Sequence, residues 1–214
     1  MIRAIIFDLD GTLVDAYPGI QESLNETLNS LGLPEVNLET VKRRVGLGVV
    51  NLMQQSVPPS MVEKALQLFG SSYGRTHLTG TFLLPDVPQT LQQLQSRGIL
   101  LAVASNKPVE FTLNILHNFG LDQYFAVIAG PTGEIRPKPH NSMLRHIFDR
   151  MKVGPKETLY VGDMTLDSHT ARNAGTQLAL IATGGHKREE LESEKPDFLL
   201  NRFSDLIEIL DPEV

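Results

Sequence analysis

The chain has 214 residues, of which 41% are hydrophobic and 21% charged, and it contains no cysteine. These proportions are those of an ordinary globular protein and exclude a disordered, collagen-like or coiled-coil chain. Without cysteine there is no disulfide framework, no thiolate nucleophile and no cysteine-ligated zinc. A net charge of −6 argues against a nucleic-acid partner, because such proteins neutralise phosphates with many basic side chains.

The apolar segments bear on where the protein works. The N-terminal segment reaches Asp8 before a signal-peptide core can form, and no run approaches the roughly eighteen apolar residues that cross a bilayer. We therefore expect a cytoplasmic protein with no membrane partner. The expected oligomeric state is a monomer or a homodimer.

Short apolar runs alternate with helical periods over most of the chain, a pattern typical of a parallel sheet covered by helices. The runs predicted as strands are Arg3–Phe7, Ile99–Ala104, Tyr124–Ala129, Thr158–Val161, Gln177–Ala182 and Asp197–Leu200. The sequence thus predicts an α/β fold, a Rossmann-like parallel sheet with helices on both faces.

One long stretch interrupts this alternation. From about residue 15 to residue 81 only helical periods are visible, as in the spacing of Ile20, Leu24 and Leu28. Both connections to this stretch carry a proline, Pro18 and Pro85. We therefore predict an all-helical cap domain over 15–81, inserted after the first strand of a catalytic core formed by 1–14 and 82–214.

Three motifs of other enzyme classes are set aside. Gly70–Gly74 fits the serine-hydrolase pattern G-x-S-x-G, but the preceding segment has a helical period where that motif needs a strand, so we expect these glycines at the end of a helix. Gly46-Leu47-Gly48 lacks the third glycine and the preceding strand of a dinucleotide-binding loop. The six histidines show no metal-ligand spacing.

Four polar segments follow predicted strands or precede a helix. In an open parallel sheet, ligands bind beyond the carboxyl ends of the strands, and all four segments are expected at that edge. They are Asp8-Leu9-Asp10, Ser105-Asn106-Lys107, Arg136-Pro137-Lys138-Pro139 and Gly162-Asp163 with Asp167. Serine and free N–H groups at a helix start form an anion site. Carboxylates that converge on this edge repel one another, and their oxygens are the ligands that Mg²⁺ prefers.

These residue types together favour phosphoryl transfer through an aspartyl-phosphate, since a magnesium site, an anion site and an exposed aspartate nucleophile suit that reaction. The alternative is a purely structural network of helix caps. That alternative requires four polar segments to lie at the same edge of the sheet by coincidence.

In order and spacing, Phe7–Asp15, Ser105–Lys107, Lys138-Pro139 and Gly162–Asp167 resemble the four motifs of the haloacid dehalogenase superfamily of phosphatases. The resemblance covers the chain from residue 7 to residue 175, and the predicted insertion resembles the helical cap of that family. Within the superfamily the chain is most similar to the phosphoglycolate phosphatase group. The segments that carry this narrower resemblance are Pro18-Gly19-Ile20, Leu31–Pro34 and Val45–Gly48.

The resemblance implies roles for the acidic residues. Asp8 would attack phosphorus and ligate Mg²⁺, while Asp10 would protonate the leaving alkoxide, activate the hydrolytic water and touch the metal through its main-chain carbonyl. Asp163 would be a direct metal ligand. Asp167 would be either a ligand through water or the partner that orients Lys138.

The resemblance also implies a phosphate-binding set made of Ser105, Asn106, Thr12 and Lys138. Dehalogenases and phosphonatases of this superfamily lack the second aspartate, so Asp10 disfavours both. A β-phosphoglucomutase-like phosphomutase and an inorganic pyrophosphatase remain as alternatives, as does a catalytically silent binding protein.

The substrate is expected to be a small phosphorylated metabolite, because a helical cap leaves little space above the site. The best candidate is 2-phosphoglycolate, whose carboxylate would need a cation or loop amides. Arg43, Arg44 and the loop at Gly46 are the candidates for that contact. The alternative for these residues is two solvated arginines beside a glycine that ends a helix.

Overall fold

The structure, a computed structural model, describes residues 1–210. The strands are β1 (Ala4–Phe7), β2 (Val14–Asp15), β3 (Phe82–Leu83), β4 (Leu100–Ala104), β5 (Val127–Ala129), β6 (Thr158–Gly162), β7 (Gln177–Ile181) and β8 (Phe198–Leu200). The helices are α1 (Tyr17–Ser30), α2 (Leu38–Arg44), α3 (Val49–Gln54), α4 (Val62–Thr76), α5 (Val87–Ser96), α6 (Val109–Asn118), α7 (Ser142–Met151), α8 (Thr165–Ala174), α9 (Arg188–Ser193) and α10 (Leu206–Leu210). Residues 211–214, which the sequence assigns to the core, lie outside the described residues.

Six parallel strands form the central sheet in the order β5-β4-β1-β6-β7-β8. Alternate side chains of β1 enter two different hydrophobic clusters, with Ile5 and Phe7 on one face and Ala4 and Ile6 on the other. Because both faces are covered, β1 is apolar at every position rather than at every second one.

The core helices divide between the two faces of the sheet. Buried side chains of α5, α6 and α10 join the cluster on the Phe7 face, and those of α7, α8 and α9 join the cluster on the Ile6 face. This arrangement confirms the predicted Rossmann-like fold with helices on both faces. Within the described part of the chain, none of the helices has the length and apolarity needed to cross a membrane.

Helices α1 to α4 follow one another without a strand between β2 and β3, as the predicted helical insertion requires. The two short strands pair antiparallel, with Val14 opposite Leu83 and Asp15 opposite Phe82, and so form a ribbon at the base of the insertion. The first turn of α1 and the turn that follows α4 approach closely, since the main-chain N–H of Gly19 donates to the carbonyl of Gly80 over 2.9 Å.

The structure differs from the sequence prediction in three details. Strand β5 begins at Val127, because Asp122–Tyr124 forms a 3₁₀ turn after α6. The β2–β3 ribbon was not predicted, since strands of two residues are too short to show an alternating pattern. The Gly70–Gly74 segment lies inside α4 rather than at a helix end, and no strand precedes it.

The contact between α1 and α4 gives a prediction about stability. Gly80→Ala should lower the free energy of unfolding by about 1–3 kcal/mol, because a Cβ on Gly80 would collide with the main chain of Gly19. Gly74→Ala is the matched control, because a Cβ there has no atom within 4 Å and alanine favours the helix by up to about 1 kcal/mol. Chemical denaturation of both variants tests this, and equal free energies would contradict the close contact.

Candidate active site

Asp8 stands directly after β1, in the middle of the sheet. Its main-chain N–H still donates to the carbonyl of Val161 over 2.9 Å, so the strand pairing with β6 continues through this residue. Its carboxylate Oδ1 lies 2.9 Å from the Nζ atom of Lys138. The adjacency of β4, β1 and β6 brings the loops after all three strands to one edge, as the sequence predicted.

Lys138 is buried at this edge and its ammonium group contacts several polar atoms. Nζ lies 2.8 Å from Oδ1 of Asp167 and 3.1 Å from the hydroxyl of Tyr160, in addition to its contact with Asp8. Burial by itself lowers the pKa of Lys138, but the carboxylates of Asp167 and Asp8 raise it well above its ordinary value. Lys138 therefore stays charged and links the loop before α7 to the end of β1.

Asp167 has both carboxylate oxygens occupied by protein donors. Oδ1 accepts from Lys138 and from the Tyr160 hydroxyl, at 2.8 and 3.1 Å. Oδ2 accepts from the main-chain N–H groups of Asp163 and Met164, at 3.1 and 3.0 Å. Of the two roles that the resemblance leaves open, this geometry favours the orientation of Lys138.

Asp163 is fully buried and accepts longer hydrogen bonds. Thr12 donates its hydroxyl to Oδ1 over 3.1 Å, while the Tyr17 hydroxyl and the Gly185 N–H each lie 3.3 Å from Oδ2. Thr12, expected among the phosphate-binding residues, is itself fully buried and is not among the residues that line the cavity described below. Its hydroxyl therefore donates to Asp163 rather than to a molecule in the cavity.

The carboxylates of Asp8 and Asp163 are poorly stabilised by the protein alone. Burial raises the pKa of Asp8 from 3.8 to about 6, although Lys138 acts in the opposite direction. Burial also raises the pKa of Asp163 well above its ordinary value, and the charges of Asp167 and Asp8 add to this effect. A positive charge between these carboxylates would therefore be strongly favoured.

The donor set fits a hard divalent cation. Carboxylate oxygens of Asp8, Asp163 and Asp167 all lie within 4.8 Å of one another. The charged groups at this edge are the carboxylates of Asp8, Asp10, Asp163 and Asp167 and the ammonium groups of Lys107 and Lys138. Their sum is two negative charges, which one divalent cation would balance. All the donors are oxygens, which is the preference of Mg²⁺ and Ca²⁺ rather than of softer metals.

Asp10 forms a second ion pair at the same edge. Its Oδ2 lies 3.1 Å from the Nζ atom of Lys107, whose ammonium also donates to the hydroxyl of Tyr73 on α4. The other carboxylate oxygen, Oδ1, is buried and has no hydrogen-bond partner in residues 1–210. Asp10 is thus held by one oxygen, and the other is available to a bound molecule.

The loop after β4 supplies Ser105 and Asn106. Ser105 is buried and lines the cavity, and its hydroxyl oxygen accepts a hydrogen bond from the main-chain N–H of Lys107 over 3.3 Å. The side chain of Asn106 ties three loops together: its amide nitrogen donates to the carbonyls of Gly46 and Lys138, and its oxygen accepts from the Lys138 N–H over 2.7 Å. This use of its side chain leaves only the main chain of Asn106 to contact a phosphate.

A cavity of about 160 Å³ lies between the cap and this edge of the sheet. The core side of the cavity includes Asp8, Asp10, Ser105, Asn106, Lys107 and Met164. The cap side comes from α1, α3, α4 and the loop at Gly46, and its side chains are apolar except for Tyr73. The helical insertion therefore faces the carboxylates, and the volume suits a small molecule.

The structure does not bring the two candidate cap arginines into this cavity. Arg43 pairs with Glu190 of α9 over 2.8 Å, and Arg44 donates to the hydroxyl of Ser56 over 3.2 Å. Neither side chain lines the cavity, because each is held by a partner that also lies outside it, Glu190 for Arg43 and Ser56 for Arg44. Gly46 does line it, with its Cα facing Met164 at a positive φ of 122°, where a Cβ would lie 2.8 Å from the methionine sulfur.

Comparisons with known proteins agree with this geometry. A family model described as haloacid dehalogenase-like hydrolase matches residues 5–181. A protein of Aquifex aeolicus named phosphoglycolate phosphatase is 35% identical over 213 residues, which covers 100% of this chain and 99% of the relative. An Escherichia coli protein of the same name is 31% identical, covering 98% of this chain and 92% of the relative.

A solved structure shows the same similarity in three dimensions. The crystal structure of a predicted phosphoglycolate phosphatase from Haemophilus somnus superposes with a TM-score of 0.92 at 29% identity and covers 98% of each chain. With its parallel sheet, its helical insertion and its aspartate-lined edge, this chain belongs to the haloacid dehalogenase-like hydrolase family. The predicted membership is thus confirmed, and the chain is an enzyme of the phosphatase class.

Sequence reasoning missed three side chains of this site. Tyr17 and Tyr160 donate to Asp163 and Asp167, and neither stands in a pattern that indicates such a contact. Lys107 belongs to the predicted Ser105–Lys107 segment, but the sequence predicts no role for its own side chain. Its position directly after a strand that ends at the ligand edge was the available signal.

Proposed function

We propose that this enzyme is a Mg²⁺-dependent phosphatase that hydrolyses a small phosphomonoester, with 2-phosphoglycolate as the best candidate. The observation that carries the proposal is the placement of Asp8 and Asp10 side by side on the floor of a small capped cavity. The names of the Aquifex aeolicus and Escherichia coli relatives support the choice of substrate.

In the proposed reaction Asp8 is the nucleophile. One of its oxygens forms a bond to phosphorus while the bond from phosphorus to the ester oxygen breaks, which leaves an aspartyl-phosphate on Asp8. Asp10 gives its proton to the departing alkoxide and then takes a proton from the water that attacks the phosphoryl group. This second step releases phosphate, regenerates the carboxylate of Asp8 and leaves Asp10 protonated again, as at the start of the reaction.

The remaining polar residues hold the phosphoryl group and the nucleophile in place. Ser105 and the main chain of Asn106 bind phosphoryl oxygens, and Lys138 offsets the charge that develops on Asp8 and on the phosphoryl group. Asp167 orients Lys138. These assignments rest on the contacts above and on the position of each residue in the motifs.

Asp8, Asp163 and the main-chain carbonyl of Asp10 are the groups that would hold Mg²⁺. When bound, the ion neutralises phosphoryl charge and the repulsion between the carboxylates. We assign 15–81 to the cap and 1–14 with 82–214 to the catalytic core. In the proposed reaction the cap closes the cavity and excludes bulk water.

A phosphate-release screen tests the proposal. The panel contains 2-phosphoglycolate, a hexose phosphate, a nucleoside monophosphate and pyrophosphate, each at the same concentration with Mg²⁺. We expect kcat/KM to be highest for 2-phosphoglycolate. A tenfold preference for pyrophosphate or for a hexose phosphate would overturn the substrate and favour the pyrophosphatase or the phosphomutase alternative.

Metal removal gives a separate prediction. Chelation should reduce activity to background and Mg²⁺ should restore it, while Ca²⁺ should inhibit because its longer, less regular coordination misplaces the carboxylate of Asp8. Without substrate, Mg²⁺ should also raise the melting temperature, because it binds only the folded carboxylate cluster. Asp163→Asn is the control that should lose this shift, and full activity in excess chelator would contradict the proposal.

A further inference from the structure

One basic side chain faces the cavity. Of the described residues that line it, Lys107 alone carries a basic group, next to the carboxylates of Asp8 and Asp10. The side chain of Lys107 is only 6% exposed, so its charge is directed into the site rather than into solvent. Lys107 has no part in the reaction as described above.

The ammonium of Lys107 has a donor to spare. It has three N–H groups, and its polar partners within residues 1–210 are two, Oδ2 of Asp10 at 3.1 Å and the hydroxyl of Tyr73. Burial by itself lowers the pKa of Lys107, but Asp10 and Tyr73 raise it above its ordinary value. Lys107 therefore remains charged and can donate to a ligand in the cavity.

The cap sets the direction of this ammonium group through Tyr73. The ring of Tyr73 stacks on Phe69 with centroids 5.4 Å apart and meets Phe111 of the core edge-on at 5.1 Å. Both contacts hold the ring between cap and core, where its hydroxyl reaches Lys107. Lys107 thus takes its position from both parts of the chain.

The rest of the cap surface over the cavity offers no polar side chain. Its apolar side chains are Ile20, Val45, Val49, Leu52, Leu66 and Phe69. A hydroxyl-rich leaving group, such as that of a sugar phosphate, would lose its water here without gaining hydrogen-bond partners, and each hydroxyl left unpaired would weaken binding. A short leaving group with one anionic end avoids this cost if that end meets a cation.

We infer that Lys107, oriented by Tyr73, binds the second anionic group of the substrate and selects a carboxylated phosphomonoester over a neutral one. The inference rests on the proposed function, in which Asp10 contacts the ester oxygen. A carboxylate one carbon beyond that oxygen lies beside Asp10, where the free N–H donor of Lys107 is found. Lys107 then has the role that the sequence analysis predicted for Arg43 and Arg44, the contact with the substrate carboxylate.

The test compares two esters of nearly identical shape, 2-phosphoglycolate and its neutral amide, 2-phosphoglycolamide. The readout is the ratio of kcat/KM for the acid to that for the amide, because any effect on the chemistry common to both esters cancels in the ratio. Lys107→Met should reduce the ratio by about 30-fold or more, since loss of a buried charge partner weakens binding strongly. Tyr73→Phe should reduce it by roughly 2- to 12-fold, because one hydrogen bond is lost and the ring is kept.

Three further variants make the comparison specific. Lys107→Arg should recover part of the ratio, because it retains the charge. Lys64→Met removes the same charge from an exposed position on α4 and should leave the ratio unchanged. Arg44→Met should also leave it unchanged, and a collapse of the ratio in Arg44→Met but not in Lys107→Met would overturn the inference.

A binding measurement covers the case in which Lys107→Met is inactive. Calorimetry with 3-phosphonopropionate, which cannot be hydrolysed, should show a Kd about 30-fold weaker in this variant, with little change for the neutral-tailed propylphosphonate. An unchanged Kd for 3-phosphonopropionate would overturn the role of Lys107. If wild-type enzyme instead hydrolyses other phosphomonoesters but neither glycolate ester, the proposed substrate fails together with this inference.

Discussion

Replacement of Asp8 by asparagine is expected to reduce turnover by several orders of magnitude, the largest effect of any single change in this enzyme. The amide nitrogen has no electron pair available for attack on phosphorus, so no acyl-phosphate forms. Asparagine has nearly the same shape as aspartate, so the cavity and its other residues should keep their positions. Phosphate release from the best substrate of the panel, followed over hours, measures the residual rate.

The stability of Asp8→Asn separates lost chemistry from lost structure. Burial raises the pKa of Asp8 from 3.8 to about 6, so the folded protein binds this proton more tightly than the unfolded chain does. Without metal, ionisation of Asp8 therefore costs stability progressively as the pH rises from about 4 through 6. Asp8→Asn lacks this cost, and its melting temperature at neutral pH in chelator should equal or exceed that of the wild type. Substantial turnover in a folded Asp8→Asn variant would refute the aspartyl-phosphate mechanism.

Asp10→Asn is expected to have the second-largest effect, a loss of about 10²- to 10⁴-fold in kcat for an alkyl phosphate, because general acid–base catalysis contributes that much. The asparagine oxygen can still accept from Lys107, so the ion pair becomes a hydrogen bond and the site stays assembled. The loss should appear in kcat, since binding of the phosphoryl group depends on other residues.

An activated ester distinguishes the two roles of Asp10. p-Nitrophenolate departs without a proton, so formation of the aspartyl-phosphate from p-nitrophenyl phosphate should persist in Asp10→Asn. Hydrolysis of the aspartyl-phosphate should be slow in this variant, because Asp10 no longer activates the attacking water. Rapid mixing should then show a burst of up to one nitrophenolate for each enzyme molecule. Equal losses for alkyl and aryl esters, with no burst, would contradict a role for Asp10 as general acid and base.

The residues that the family motifs nominated meet in the structure to different degrees. Asp8, Asp10, Lys138 and Asp163 converge at the edge of the sheet where they were expected. Thr12 is near, but its hydroxyl is used by Asp163. A family motif therefore identifies a loop that lies at the site, but not every polar side chain in that loop contacts the substrate. Some of them, like Thr12, form hydrogen bonds that position the other residues of the site.

The sequence by itself determined the sheet, the helical insertion and the edge at which the acidic side chains meet. Strands buried on both faces must be apolar at every position, so their ends are visible in the sequence, as at Phe7 and Asp8. Parallel strands then bring their carboxyl ends to one edge, whatever the intervening segments are. These conclusions need only local composition and the geometry of parallel sheets.

Only the tertiary structure decided which side chains meet across the cavity. Arg43 and Arg44 were the candidate cations of the cap, yet the cavity is lined by Lys107 of the core instead. Tyr73 reaches Lys107 across 34 positions of the chain. The direction of a long side chain depends on how the cap packs on the core, and that packing is a sum of many distant contacts that no local pattern records.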